Sequence, residues 1–151
     1  MMAEKEMASG FLLPDTESED GAEFWAGCAR GELLVQHCGA CGTPRFPPRP
    51  MCPRCRSTEV RWEPMSGRGT IWSYVVPHPP LLPAYAELAP YNVIVVALDE
   101  DPTLRMVGNL LASPDGGIDE IDPTTVEIGT PVRVVFQQVE DVSLPRWVAS
   151  P

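Results

Sequence analysis

Apolar residues occur in short runs along this chain, separated by polar stretches rich in glycine and proline. Runs rich in Val, Ile, Trp and Tyr predict five strands and a shorter sixth, over 60–62, 69–76, 91–98, 104–111, 131–139 and 144–148. Within 69–76, Ile71 and Val75 share one face. Trp72 and Val76 share the other, so both faces carry apolar residues. This pattern is typical of a small closed barrel that a helix or a partner covers from outside.

The region before the strands predicts one short amphipathic helix. Over 21–30, Phe24, Trp25 and Cys28 lie on one helical face, which makes Cys28 a buried thiol in the simplest interpretation. Residues 32–36 alternate weakly and predict a strand that leads into the first pair of closely spaced cysteines.

Composition indicates a globular protein with much β-structure. The 151 residues suit one compact core, and 18 prolines with 12 glycines favour many turns. No apolar run approaches the roughly 20 residues that a membrane-spanning helix needs. The N-terminus lacks a basic region followed by an apolar stretch, so it does not resemble a secretory signal. We therefore expect a cytoplasmic protein without a membrane anchor.

Charge is distributed unevenly along the chain. The net charge is −10, yet residues 30–68 carry seven arginines against three acids, while residues 1–29 and 69–151 are acidic. An acidic protein with one basic segment suits a small anionic ligand better than a long nucleic acid, which favours an extended positive surface.

Four cysteines form the strongest chemical motif, C-x2-C, ten residues, C-x2-C, at Cys38, Cys41, Cys52 and Cys55. Two residues between thiolates let a tight turn direct both sulfurs at one centre, and two such turns complete the tetrahedral shell of zinc. Because four protein ligands leave no position for water, the zinc is expected to be structural. His37 adjoins the first ligand but is not needed in the shell. The alternatives are disulfides, which a reducing cytosol disfavours, or a redox pair.

The remaining candidate features are less specific. The arginines around the cysteines either balance the negative charge of a four-thiolate zinc site or form a patch for phosphate groups or an acidic partner. Residues 77–85 are stiff and apolar and include His78, one of two histidines. A single histidine without a paired carboxylate or nucleophile is weak evidence for catalysis, so this segment better suits a groove or an interface. Signatures of nucleotide hydrolysis, dinucleotide binding, esterases and zinc proteases are absent from the sequence, and we assign no catalytic residue.

The order of several short segments resembles the DUF35 family over about residues 22–148. The segments are Phe24-Trp25, Gly31-Glu32-Leu33, Cys38-Gly39-Ala40-Cys41-Gly42, Phe46-Pro47-Pro48-Arg49, Cys52-Pro53-Arg54-Cys55, Ser66-Gly67-Arg68-Gly69-Thr70, Tyr91-Asn92-Val93 and Leu144-Pro145-Arg146. The resemblance implies a mainly β protein with a short N-terminal helix, a rubredoxin-like zinc ribbon and a five- to six-stranded OB-fold barrel. The expected organisation is a flexible acidic tail (1–17), the helix and its lead-in strand (18–36), the zinc ribbon (37–62) and the OB-fold domain (63–151).

The same resemblance implies a function. Members of this family are commonly acyl-CoA-associated subunits that form a complex with a thiolase-like, lipid-transfer-protein-like enzyme, such as an aldolase that cleaves a steroid side-chain β-hydroxyacyl-CoA. The partner carries the chemistry, and the OB-fold subunit scaffolds it and helps to bind the acyl-CoA thioester. Because CoA carries a 3′-phosphate and a pyrophosphate, Arg49 and Arg68 are its first candidate ligands, with His78 and Tyr85 added from the proline-rich segment.

Two other functions remain open at this level. OB-folds and zinc ribbons also bind single-stranded nucleic acid, and Trp62, Trp72 and Tyr74 could stack on bases, although the net charge of −10 opposes this. The second is an independent enzyme that uses His78. We expect neither nucleic acid nor a membrane among the partners.

Overall fold

The computed structural model describes residues 10–151, so the first nine residues of the predicted acidic tail lie outside the described part. The helices are α1 (Ala22–Ala29) and α2 (Pro83–Ala86), with one 3-10 turn at Pro123–Thr125. The strands are β1 (Leu34–Cys38), β2 (Pro44–Arg45), β3 (Val60–Pro64), β4 (Arg68–Val75), β5 (Val93–Leu98), β6 (Arg105–Gly108), β7 (Leu110–Leu111), β8 (Pro131–Val139) and β9 (Val142–Ala149). The predicted mainly β fold with one short N-terminal helix is confirmed.

A small antiparallel sheet carries the cysteines. Its strand order is β2-β1-β3, and every residue of the central strand β1 is buried. The reason is that β1 has a strand on either side and helix α1 packed against it. The sheet therefore joins the four-cysteine ribbon to the rest of the molecule.

The larger sheet has the order β6-β5-β4-β8-β9-β7 and forms the OB-fold barrel. Its pairings are antiparallel, apart from the parallel pair of β7 with β9. The predicted single strand over 104–111 was wrong, because Asn109 interrupts it. Strands β6 and β7 lie at opposite ends of the sheet order, and only Asn109 joins them.

Two glycines determine the backbone path at the start of β4, in the segment Ser66-Gly67-Arg68-Gly69-Thr70. Gly67 has φ +78°, and a Cβ at Gly69 would lie 2.5 Å from Val96 Cγ1. The first glycine allows the turn, and the second allows β4 to approach β5 closely. Arg68 stands exposed between them.

One hydrophobic core joins helix, ribbon and barrel. Phe24 and Cys28 of α1 and Val35 of β1 pack in one cluster with buried barrel residues such as Ile94 and Trp147. Burial raises the pKa of the Cys28 thiol from 9.0 to about 12, so this cysteine is a neutral part of the core, as predicted. Across residues 10–151, no helix has the length and apolar character needed to cross a membrane.

Candidate functional site

The first cysteine turn begins where strand β1 ends. The backbone N–H groups of Ala40 and Cys41 both donate to Cys38 Sγ, at 3.4 Å each. These bonds lower the pKa of Cys38, the one from Cys41 most strongly, because they stabilise its thiolate. Gly42 has φ +77° and donates its N–H to the Cys38 carbonyl over 3.0 Å, which closes the turn.

The second cysteine turn repeats the first in its backbone bonds. The N–H of Arg56 donates to the Cys52 carbonyl at 2.9 Å, as that of Gly42 does to Cys38. The N–H of Cys52 donates to the Ser57 carbonyl at 2.9 Å, and the N–H of Cys38 donates in the same way to the Thr43 carbonyl. Arg56 takes φ 66° at the position that glycine holds in the first turn. Two equivalent turns thus present two thiolates each.

The four sulfurs meet at one point, with all Sγ atoms within 4.8 Å of one another. Cys38 and Cys55 Sγ are 3.5 Å apart, and Cys41 and Cys52 Sγ are 3.7 Å apart. Zinc–sulfur bonds of about 2.3 Å in a tetrahedron require sulfurs about 3.8 Å apart, so this set fits zinc.

All the cysteines are free thiols, against the disulfide alternative. The side chain and backbone of Thr43 also lower the pKa of Cys41 to about 6, which favours the ligating thiolate. The predicted structural zinc site is confirmed.

Both ring nitrogens of His37 contact groups other than the four cysteines. Its Nδ1 lies 3.0 Å from the Val35 carbonyl oxygen, and its Nε2 lies 3.2 Å from Glu63 Oε2. Arg61 Nε contacts the other oxygen of Glu63 at 3.0 Å. His37 therefore braces β1 against β3 and leaves the shell to the four thiolates.

A buried arginine fixes the loop that carries Arg49. Arg45 Nε donates to Gln36 Oε1 over 2.7 Å, and the same oxygen accepts the Arg49 N–H at 2.7 Å. Arg45 Nη2 donates to the Arg49 carbonyl at 3.0 Å. The backbone of Arg49 is thus a structural brace, while its side chain remains exposed to solvent.

The four predicted CoA-binding residues do not converge on one cavity. Arg68 is exposed on β4 directly opposite the exposed Arg133 of β8. His78 is exposed in the loop after β4. Of the four predicted residues, only Tyr85 lines the groove described next.

An open groove of about 590 Å³ lies where the N-terminal segment, the loop after α2 and strand β9 meet. Most of its lining is apolar or aromatic, including Phe11, Tyr85 and Tyr91. Phe11 packs edge-on against Tyr85 with ring centroids 5.1 Å apart, and the Tyr85 hydroxyl accepts the Leu12 N–H at 3.2 Å. The N-terminal segment thus forms one wall of the groove.

A polar network forms one corner of the same groove. The buried Asn92 side chain accepts the Leu110 N–H at 2.7 Å and donates to the Leu110 carbonyl at 3.0 Å. Asn109 Nδ2 donates to the Asn92 carbonyl at 2.6 Å, and Asn109 Oδ1 accepts from Arg146 Nη1. Sequence reasoning singled out the segments of Asn92 and Arg146 but assigned neither residue a role.

The outer apolar face is formed by strands β4, β5 and β6. Its exposed members are Val75 (60%), Trp72 (50%) and Val107 (66%), and the half-buried Val95 lies between them on β5. The Arg105 guanidinium stacks over the Trp72 ring, 3.7 Å from its centroid. This face confirms that the strands are apolar on both sides. Its three exposed side chains are at least half exposed, and Val107 also lines the groove.

Comparison with known families identifies both halves of the chain. Residues 25–61 match the family described as "ChsH2, rubredoxin-like zinc ribbon domain", and residues 62–137 match "ChsH2, C-terminal OB-fold domain". The chain is 32% identical over 111 residues to a "DUF35 domain-containing scaffold protein" of Methanocaldococcus jannaschii, covering 72% of this chain and 70% of that protein.

Two further relatives have names that describe them as parts of larger assemblies. The "3-oxo-4,17-pregnadiene-20-carboxyl-CoA hydratase alpha subunit" of Mycobacterium tuberculosis is 35% identical over 136 residues, which are 90% of this chain but only 40% of that subunit. A solved structure described as "Ltp2-ChsH2(DUF35) aldolase" superposes with a TM-score of 0.75 and 32% identity, and the match covers 90% of this chain and 98% of that chain.

Proposed function

The chain belongs to the DUF35 family of ChsH2-type proteins, and on that premise we propose that it is a non-catalytic scaffold subunit of a thiolase-like enzyme of the lipid-transfer-protein type. The partner carries out the reaction on an acyl-CoA thioester, and we propose aldol cleavage of a steroid side-chain β-hydroxyacyl-CoA. This subunit supports the partner and contributes to binding of the thioester.

The observation that carries this proposal is the match to 98% of the DUF35 chain in the Ltp2-ChsH2(DUF35) aldolase, at 32% identity. The outer apolar face is a candidate docking surface for the partner. Large side chains such as Trp72 and Val107 are at least half exposed there. Contiguous exposed apolar patches mark interaction sites in soluble proteins, and aromatic residues are enriched at the centres of interfaces. We therefore assign the partner to this face.

Phosphate binding is proposed for the exposed arginines at the start of the barrel. Arg68 and Arg133 occupy opposed positions on neighbouring antiparallel strands, where like charges destabilise a sheet. A bound phosphate removes that repulsion and accepts charge-assisted hydrogen bonds from both guanidinium groups. We propose Arg68 as the principal CoA ligand and Arg49 as a second.

The partner surface can be tested by co-purification with a thiolase-like enzyme of the lipid-transfer-protein type. Val75→Asp places a charge on the outer apolar face, whereas Val60→Asp makes the same change at a 39% exposed valine of the ribbon. We expect Val75→Asp to abolish co-purification and Val60→Asp to retain it. Equal retention of both folded variants would contradict the assignment of this face.

The role in the reaction requires activity measurements on the assembled complex. We expect no turnover of acyl-CoA by the isolated chain and measurable turnover once the partner is added. Arg68→Ala should weaken CoA-thioester affinity about 10- to 100-fold, as expected for loss of a charged hydrogen bond, with Arg54→Ala as the control. A lower melting temperature with unchanged affinity would show that Arg68 is only structural.

We also propose a cytoplasmic location, since five free thiols, four of them zinc ligands, suit a reducing compartment. The alternative function, binding of single-stranded nucleic acid, has a direct test. Retention on single-stranded DNA that falls with salt, without retention on CoA-agarose, would replace the present proposal.

A further inference from the structure

The groove contains a guanidinium group without an acidic partner. Arg146 is half-buried, and its Nε is out of contact with solvent and has no hydrogen-bond partner within residues 10–151. Its Nη1 donates to Asn109, a neutral amide, and no carboxylate of residues 10–151 forms an ion pair with it. A half-buried guanidinium that lacks a counter-ion is costly, and an anion bound in the groove would supply that counter-ion.

The polar network holds this arginine in place. Asn109, which accepts from Arg146, is itself fixed by its bond to the Asn92 carbonyl, and the Asn92 side chain is fully buried. Burial lowers the pKa of the Arg146 guanidinium, and the neighbouring Tyr85 partly offsets this effect. A positioned donor in an apolar setting is the arrangement by which binding sites fix the polar end of a ligand.

The rest of the groove suits an apolar body. Trp25, Leu88, Ile118 and Leu144 all line it, and its volume of about 590 Å³ is within the range of small-molecule sites. Burial of an alkyl chain against these walls is favourable, because it removes apolar surface from water.

The charge of the groove indicates which anion it accepts. Among residues 10–151, Arg146 is the only basic residue that lines it, and Asp119 lines it as well. One guanidinium matches one carboxylate, whereas the several negative charges of a CoA phosphate group would need more cations, and Asp119 would repel them more strongly than a single negative charge. The groove therefore differs in its chemistry from the arginines proposed to bind CoA.

We propose that this groove binds an amphipathic carboxylic acid, with its carboxylate on Arg146 and its aliphatic body against the apolar walls. The proposal is tested on the isolated protein, although Val107 belongs both to the groove and to the outer apolar face. Failure of the partner assay would leave this site unaffected.

Calorimetric titration of the zinc-loaded full chain with decanoate and with 1-decanol tests the proposal. Decanoate should bind with a Kd below about 1 mM, and 1-decanol, which has the same chain without the charge, should bind at least about 10-fold more weakly. Arg146→Gln should weaken decanoate binding about 10- to 100-fold and leave 1-decanol unchanged. Arg54→Gln, at an exposed arginine of the ribbon outside the groove, should change neither. Equal affinity for the two compounds, or no decanoate binding at about 1 mM, would overturn the proposal.

A second measurement needs no variant, in case Arg146→Gln does not fold. In the wild-type protein, the carboxyl pKa of bound [1-13C]decanoate, followed by NMR, should lie below that of free decanoate, because a guanidinium favours the ionised form. A bound carboxyl pKa equal to or above the free value would place the carboxylate away from Arg146 and would refute the site.

Discussion

The Asn92 side chain makes hydrogen bonds that the backbone of a neighbouring strand usually makes in a sheet. Its side-chain amide pairs with both the N–H and the carbonyl of Leu110, at 2.7 and 3.0 Å, and so holds the start of strand β7. The side chain has 0% exposure, so water cannot readily replace either bond. Replacement of Asn92 by alanine would leave two buried backbone groups of Leu110 without partners.

The cost of Asn92→Ala follows from those two groups. Each unsatisfied buried group costs about 1–3 kcal/mol, so we expect loss of both partners to lower the free energy of unfolding by about 2–6 kcal/mol. For a chain of this length that corresponds to a decrease in Tm of about 10 °C. Water that enters the space left by the side chain would bring the value toward the lower limit.

The assay is urea unfolding of zinc-saturated protein, followed by tryptophan fluorescence. The matched control is Asn109→Ala, since Asn109 is the only other asparagine of the chain and is half-buried. Its loss should cost less, about 1–2 kcal/mol, because it leaves one backbone group, the Asn92 carbonyl, without its side-chain partner where Asn92→Ala leaves two. The urea m-value should stay constant for both variants. A loss below about 1 kcal/mol for Asn92→Ala would refute the argument that its amide replaces a strand partner.

Four further predictions concern the ribbon and the core. Cys52→Ser should reduce bound zinc by elemental analysis and unfold at least the ribbon in circular dichroism, because three thiolates do not complete the shell. Arg56→Gly should raise Tm in thermal unfolding, since Arg56 takes φ 66° at a position that suits glycine, with a gain of about 1 kcal/mol. Gly69→Ala should destabilise the protein to urea by about 1–3 kcal/mol, because its Cβ would lie 2.5 Å from Val96. Cys28 should resist alkylation until unfolding. The pKa of the Cys28 thiol is about 12 in the folded protein and 9.0 in the unfolded chain. Its contribution to stability is therefore complete below pH 9 and is lost as the pH rises through 12. Unfolding measured as a function of pH tests this.

The sequence predicted the features whose determinants are local. Zinc ligation depends on residue type and on spacing within two short turns, so Cys38 to Cys55 could be assigned from the pattern alone. The buried position of Cys28 followed from helical periodicity in the same way. The division between ribbon and barrel in the expected domain boundaries remains a prediction.

Features that depend on distant pairing could not be predicted. The run over 104–111 looks like one strand, and its interruption follows from the side chain of Asn92, 18 residues away from Leu110. Likewise, nothing near Arg146 in the sequence indicates that it meets Asn109, 37 residues earlier. The groove itself combines parts of the chain from Phe11 to Arg146, so its lining had no signature in any one segment.

The single-residue connection between β6 and β7 also limits where the chain can accept insertions. These strands end the sheet order on opposite sides, so the chain passes from one end to the other at Asn109. An inserted residue there would shift the register of β7 along β9 and turn its side chains to the opposite face. Length variation among natural homologues should therefore collect in the segment between β7 and β8, while the β6–β7 connection keeps its length.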